Sequence, residues 1–276
     1  MNPNLPAAVA RPSIAAVSYL NTVPLVWGLL HGPQQGAAEI GFSVPSECAA
    51  RIASGSADLG IVPVVEMQRQ GLVAVPGTGI ACHGAVRSIL LVSKKHPSWI
   101  RTVATDSGSR TSVALTQIIL RERYKVAPEV FSMDPGLDAM LAEADAALLI
   151  GDAALRVDPD DLPYHVLDLG SEWLELTGLP MVFAMWSGRR DRVEAFGAAR
   201  LAELFRGSLD YGMAHIDAAV ETGAAERGFQ LHLVRRYLTE NIVFHIGEEE
   251  ERGLRRFLSL AAELDNRVRS VQTASV

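Results

Sequence analysis

One recurring unit constrains this chain most: a short apolar run, a polar turn, then an amphipathic stretch. Its fullest instance is Thr102-Val103-Ala104-Thr105-Asp106-Ser107-Gly108-Ser109-Arg110-Thr111-Ser112 followed by Val113 to Leu120. The run begins with β-branched residues, and Leu115, Ile118 and Ile119 then recur at helical spacing. The segment reads as strand, polar turn, helix. Six of the eight positions from 105 to 112 carry a hydroxyl or a carboxylate. Such a turn serves as an ordinary helix cap. It also suits an anion, because backbone N–H groups and the positive helix end converge there. Arg110 is placed to add a bidentate grip on a carboxylate.

The unit recurs from the start. Ser13 to Val17 reads as a strand, Ser18 to Thr22 as a polar loop, and Val23 to Leu30 as a helix with Pro24 in its first turn. Ile40 to Val44 is the next strand, Pro45 to Ser54 a helix stopped by Gly55, and Ala57 to Val62 a third strand. This alternation predicts a parallel sheet covered by helices on both faces. Leu72–Val75 and Gly79–Cys82 read as two short extended pieces around Pro76-Gly77, and Ala85–Ser93 as one long strand. A second series runs through Glu129–Phe131, Ala146–Ile150 and His165–Leu169, and Pro180–Trp186 is the return. From Arg189 onward the pattern is almost wholly helical. Together these predict a bilobal, hinged α/β fold with two crossover strands and a helical C-terminal wrap. The expected lobes are 12–90, 91–185 and a return over 186–276.

Composition narrows the function. Of 276 residues, 49% are hydrophobic and 21% charged, enough apolar material for real cores. The net charge of −7, with basic residues scattered, argues against a nucleic-acid partner. No apolar run is long enough to cross a membrane. Met1 to Ala10 lacks a basic n-region and an apolar h-region, so a cytoplasmic location is expected. Cys48 and Cys82 lack metal-ligand spacing, and unpaired buried thiols are favoured over a disulfide. The signatures GxSxG, HExxH, GxxxxGK[ST] and GxGxxG are absent, and no two histidines stand at i,i+4.

What remains is a set of polar residues at inferred strand ends. These are Ser18, Tyr19 and Asn21; Ser46 and Glu47; Arg87 and Ser88; Ser109, Arg110, Thr111 and Ser112; and Gly151 with Asp152. They are hydrogen-bonding and anion-binding types, suited to a small organic acid. Each has a plainer reading: Asn21 as a turn residue, Ser88 as a tolerated strand serine, Asp152 as a helix cap. His83 is the one histidine near this set, beside Gly84 in a loop.

Several segments, in order, resemble one family. They are Ser18-Tyr19-Leu20-Asn21-Thr22-Val23-Pro24-Leu25, Ala57 to Val64, Arg87 to Leu91, Ser109 to Val113, Ala144 to Leu155 and Gly178 to Trp186. The family is chorismate dehydratase, of the futalosine route to menaquinone, and the resemblance covers roughly residues 12 to 240. It implies a type 2 periplasmic-binding-protein-like fold and cofactor-independent loss of water from chorismate, giving 3-[(1-carboxyvinyl)oxy]benzoate. It also implies that Asn21 and Ser88 are catalytic. The remaining expected site residues, Ser18, Tyr19, Ser46, Arg87, Ser109, Arg110, Thr111, Ser112 and Asp152, are assigned to substrate binding, with no metal. The base is either the substrate's own enolpyruvyl carboxylate or His83. Two other readings stand beside it. One is the paralogous 1,4-dihydroxy-6-naphthoate synthase, whose first loop has a different composition. The other is a non-catalytic binding protein for a small organic acid. A transcription-factor effector domain is disfavoured by the short stretch before the first strand.

Overall fold

The computed structural model describes residues 11–106 and 110–274, with side chains resolved as far as residue 266. Two mixed sheets form its frame. The first contains β1 (Ser13–Val17), β2 (Glu39–Ser43), β3 (Leu59–Pro63) and β4 (Val73–Cys82). The second contains β5 (Ile89–Ser93), β6 (Thr102–Asp106), β7 (Glu129–Met133), β8 (Ala146–Ile150) and β9 (His165–Asp168). The chain then returns to the first sheet with β10 (Met181–Gly188) and β11 (Val243–His245). Strand order is β11-β4-β10-β3-β1-β2 in one sheet and β7-β6-β8-β5-β9 in the other.

The expected parallel pairing holds where the βα unit repeats: β1 runs parallel to β2 and β3, and β6 parallel to β7 and β8. Elsewhere the expectation of purely parallel sheets gives way. β10 lies antiparallel between β3 and β4, and β5 antiparallel between β8 and β9. The physical reason is direction: each is a strand that enters its sheet from the other lobe, not through a right-handed βαβ crossover.

Three further differences have local causes. The two pieces around Pro76-Gly77 are one strand, accommodated by register shifts against β10 and by a left-handed Gly77 with φ +99°. The long strand expected over Ala85–Ser93 begins only at Ile89. Arg87 sits at φ 63°, and the Asp168 carboxylate accepts the Val86 and Arg87 backbone N–H groups at 2.9 and 2.6 Å. Those donors are therefore unavailable to a ladder. The short β11 interrupts the helical C-terminal region and pairs with β4. The crossings between sheets accordingly fall at residues 83–88 and 169–180, ahead of Leu91 and ahead of the return strand.

Burial follows the period of two along β5. Ile89 and Leu91 join a core that runs through both lobes, whereas Leu90 and Val92 join a smaller one on the opposite face with Met140 and Leu149. Trp186 of β10 stacks on Phe205 of helix Ala198–Ala214, with centroids 4.3 Å apart. Both cysteines are free and buried.

Asp58 anchors the entry to β1 and β3. Its carboxylate accepts from Ser13 N and Oγ at 2.9 and 3.1 Å and from Arg192 Nε at 2.6 Å. Burial pulls its pKa upward, but these donors outweigh burial and hold it below the ordinary carboxylate value. A depressed folded-state pKa contributes stability above the unfolded value, lost as pH falls through the folded one. Asp58→Asn is thus expected to lower stability by about 1–3 kcal/mol at pH 7. The deficit should shrink below about pH 4. Urea denaturation of both proteins across that range measures it, and a deficit independent of pH would contradict the assignment.

Candidate functional site

A cleft opens where the two lobes meet, beneath the carboxyl ends of β1 and β3. Its enclosed volume is about 60 Å³, and the space extends to about 540 Å³ with the open mouth included. Its walls are largely apolar, with Val17, Pro45, Ile80, Ile89, Ile150 and Phe183 among them. The polar residues facing it are Tyr19, Asn21, Ser88 and Ser112, and Gly151 also lines it. Among the described residues that line it, none carries a formal charge.

The first loop reaches the cleft because β1 ends in a single 3₁₀ turn, Leu20–Thr22, before helix Val23–His31 starts with Pro24. That turn holds Asn21 at the wall. Its Oδ1 is buried and without a protein partner. Tyr19, just before the turn, lays its ring against Gly151. Burial first, then the charges of Asp106 and Asp152, push the Tyr19 phenol up to about 12, so it meets a ligand protonated. Ser88 lies at the mouth of β5 and is only 2% exposed. Its backbone O accepts from Gly151 N at 2.8 Å, which locks the crossing segment to the end of β8. Its Oγ accepts from Tyr237 Oη at 2.9 Å. The Asn21 side chain lies near the same phenol and lowers its pKa in part against the rise that burial causes. Ser88, one of the two residues expected to be catalytic, is therefore held by a tyrosine that sequence reasoning did not single out.

The other expected site residues divide. Ser112 is buried at the cleft wall. Ser109 lies outside the described residues. Thr111 is buried and accepts from Val65 N at 3.4 Å, at the start of helix Val64–Arg69 in the first lobe. Arg110 pairs with Glu66 at 2.9 Å, again across the lobes. Asp152 accepts from Leu20 N at 3.0 Å and pairs with Arg227 at 3.0 Å. Arg227 also donates to the Ser18 carbonyl at 2.9 Å. Arg110 and Asp152 thus bind lobe to lobe, where a grip on ligand was expected. Ser18 contributes its carbonyl to that tie, and its side chain is not part of the cleft wall.

Arg87 was expected at the cleft, but its guanidinium donates to the Ala154 carbonyl at 2.9 Å and to the Val157 carbonyl. It closes the end of the short helix Gly151–Leu155. Ser46 is exposed on the first turn of helix Pro45–Ser54, beyond the cleft wall, although Pro45 lines it. His83 is exposed on the crossing segment and does not line the cleft. No group of three or more His, Cys, Asp or Glu among the described residues is arranged to hold a metal ion.

The residues missed were Tyr237, Arg227, Glu66 and Asp168. Tyr237 gave a signal: a phenol among the apolar residues Val234 and Leu238 must find a partner for its hydroxyl when buried. The other three are ordinary surface types in sequence, and only the fold brings them to the lobe junction.

A two-lobed α/β frame with a cleft at the crossings defines the periplasmic-binding-protein-like class. Solved structures bear this out at the level of fold. A protein of Archaeoglobus fulgidus superposes with a TM-score of 0.72 at 16% identity, over 92% of this chain and 97% of that one. The periplasmic aliphatic sulphonate binding protein SsuA of Escherichia coli gives 0.64 at 16% identity, over 93% and 92%. The family model described as menaquinone biosynthesis matches residues 12–263, and the chain belongs to that family. Among curated relatives, the chorismate dehydratase of Thermus thermophilus is 29% identical over 232 residues, covering 78% of this chain and 83% of the relative. That of Campylobacter jejuni is 25% identical over 160 residues, covering 58% and 69%.

Gly151 is the tightest constraint on the wall. Its φ is +57°, and a Cβ there would sit 2.9 Å from the Tyr19 ring. Gly151→Ala is expected to destabilise by about 1–3 kcal/mol, from left-handed backbone and ring displacement together. Thermal melting checks this, and an unchanged melting temperature would show that neither contact is constrained.

Proposed function

We propose that this protein is a chorismate dehydratase of the cytoplasm, removing water from chorismate without a cofactor to give 3-[(1-carboxyvinyl)oxy]benzoate. The observation that carries the reading is that Asn21 and Ser88 both line a neutral, largely apolar cleft, in a chain of the menaquinone-biosynthesis family. The similarity to curated chorismate dehydratases supports the same substrate.

The chemistry suits such a wall. The ring C–H bond beside the ether breaks, its electron pair moves into the ring, and the C–O bond of the neighbouring hydroxyl breaks. The hydroxyl takes up a proton and leaves as water. Aromatisation provides the driving force. Charge developing in the ring is delocalised into the ring carboxylate, and donors held in an apolar cleft stabilise it more than water would. The base in this reading is the enolpyruvyl carboxylate of the substrate, pressed against the ring proton by the cleft wall. His83, exposed and off that wall, is the weaker choice. Asn21 and Ser88 orient the enolpyruvyl arm and assist departure of the hydroxyl. Ser112, at the cleft wall, holds a carboxylate through its hydroxyl, with no arginine directly on the anion. Arg110 and Asp152 keep the lobes together around it.

Incubating the purified protein with chorismate, with neither metal nor nucleotide added, is expected to yield a product lighter by one water with an aromatic spectrum. Asn21→Ala and Ser88→Ala should each cut kcat about a hundredfold, more than they raise KM. Chorismate bound but returned unchanged would favour a binding protein instead. Chorismate ignored would direct the assay to cyclic dehypoxanthine futalosine, substrate of the paralogous synthase.

A further inference from the structure

Tyr237 is 1% exposed and stands where helix Leu231–Arg236 widens into the π-turn Tyr237–Asn241. Such widened turns are uncommon and cluster at functional sites. The far end of the turn is fastened to the crossing segment, since Asn241 Nδ2 donates to the Ala85 carbonyl at 3.0 Å. A buried phenol needs one acceptor, and a backbone carbonyl would serve. Here it donates to the side chain of Ser88 instead.

The phenol donates its proton to Ser88 Oγ at 2.9 Å. Ser88 Oγ is then an acceptor on the buried side, and its own O–H is directed elsewhere. Ser88 lines the cleft. We propose that Tyr237 is a positioning residue for the reaction: by donating to Ser88 Oγ it leaves the Ser88 hydroxyl as the donor that the substrate meets. This assignment rests on the dehydratase reading. Ser88 then hydrogen-bonds the departing allylic oxygen of chorismate and lowers the cost of its leaving as water. Each link polarises the next, so the proton Ser88 presents is a better donor than that of an isolated serine. Burial foremost, with the Asp152 charge adding, pushes the phenol well above its ordinary value. It therefore remains a donor throughout the working pH range.

The test is Tyr237→Phe, which removes one oxygen from a packed ring. We expect kcat to fall about tenfold to a hundredfold. Affinity for chorismate, measured by calorimetry on the Asn21→Ala background where turnover is suppressed, should stay within about threefold when Tyr237→Phe is added. A second variant separates positioning from packing. With Ser88 gone the phenol has no hydroxyl to direct, so Ser88→Ala and the Ser88→Ala, Tyr237→Phe pair should match in kcat within about twofold. Multiplicative losses in the pair, or a Tyr237→Phe protein with full kcat, would overturn the proposal. Wild type run alongside distinguishes the two possible failures. An inactive wild type sinks the dehydratase reading and this assignment with it. An active wild type matched by Tyr237→Phe sinks only the assignment.

Discussion

The carboxylate of Asp152 is the contact on which the arrangement of the two lobes turns. It sits on the short helix that follows β8 in the second sheet, yet its partners, the Leu20 N–H and the Arg227 guanidinium, belong to the first lobe. Its side chain is 21% exposed and that of Arg227 15%, so neither is fully hydrated. Removing one partner would leave a half-buried charge unpaired, which is costly. The tie therefore holds the first loop, and with it Tyr19 and Asn21, against the end of β8. Arg110 with Glu66 and Thr111 with Val65 N make a second tie between the lobes. Between these two seams lies the cleft.

Charge placement follows from the same arrangement. Arg87, Arg110 and Arg227 all stand near the cleft, and each is engaged by a carbonyl or a carboxylate of the frame. What faces the cleft is neutral: hydroxyls, an amide side chain and backbone. A neutral wall in an apolar setting binds an anion by oriented dipoles. Such dipoles need no reorganisation as charge moves through the substrate. A salt bridge to one carboxylate would instead localise the charge that the proposed reaction has to spread over the ring.

Much of the frame was legible in the chain. Strand β1, its polar loop and the Pro-initiated helix followed directly from an apolar run, turn residues and Pro24. So did helix Pro45–Ser54, stopped by Gly55 in the left-handed region. Strand direction was not legible. Nothing in the apolar run Met181–Trp186 says that it inserts antiparallel between β3 and β4, because a strand buried on both faces reads alike either way. The break at Arg87 was hidden for a related reason: it depends on Asp168, 81 residues away, accepting its N–H.

The candidate site shows the same division. Local sequence determined that Tyr19, Asn21, Ser112 and Gly151 follow strand ends, since the turn that stops a strand also presents its polar residues there; Ser88 stands at a strand end only because β5 begins at Ile89. Which arginines would face a ligand, and which would hold the frame, was decided only by tertiary structure. An arginine's long side chain reaches several partners, and only the closed fold establishes which carbonyl or carboxylate is nearest. Tyr237 marks that limit most clearly. Its burial was foreseeable from the apolar stripe around it, but its hydrogen bond to Ser88 joins residues 149 positions apart in the chain. That meeting exists only once the C-terminal helices have packed back over the crossing between the lobes.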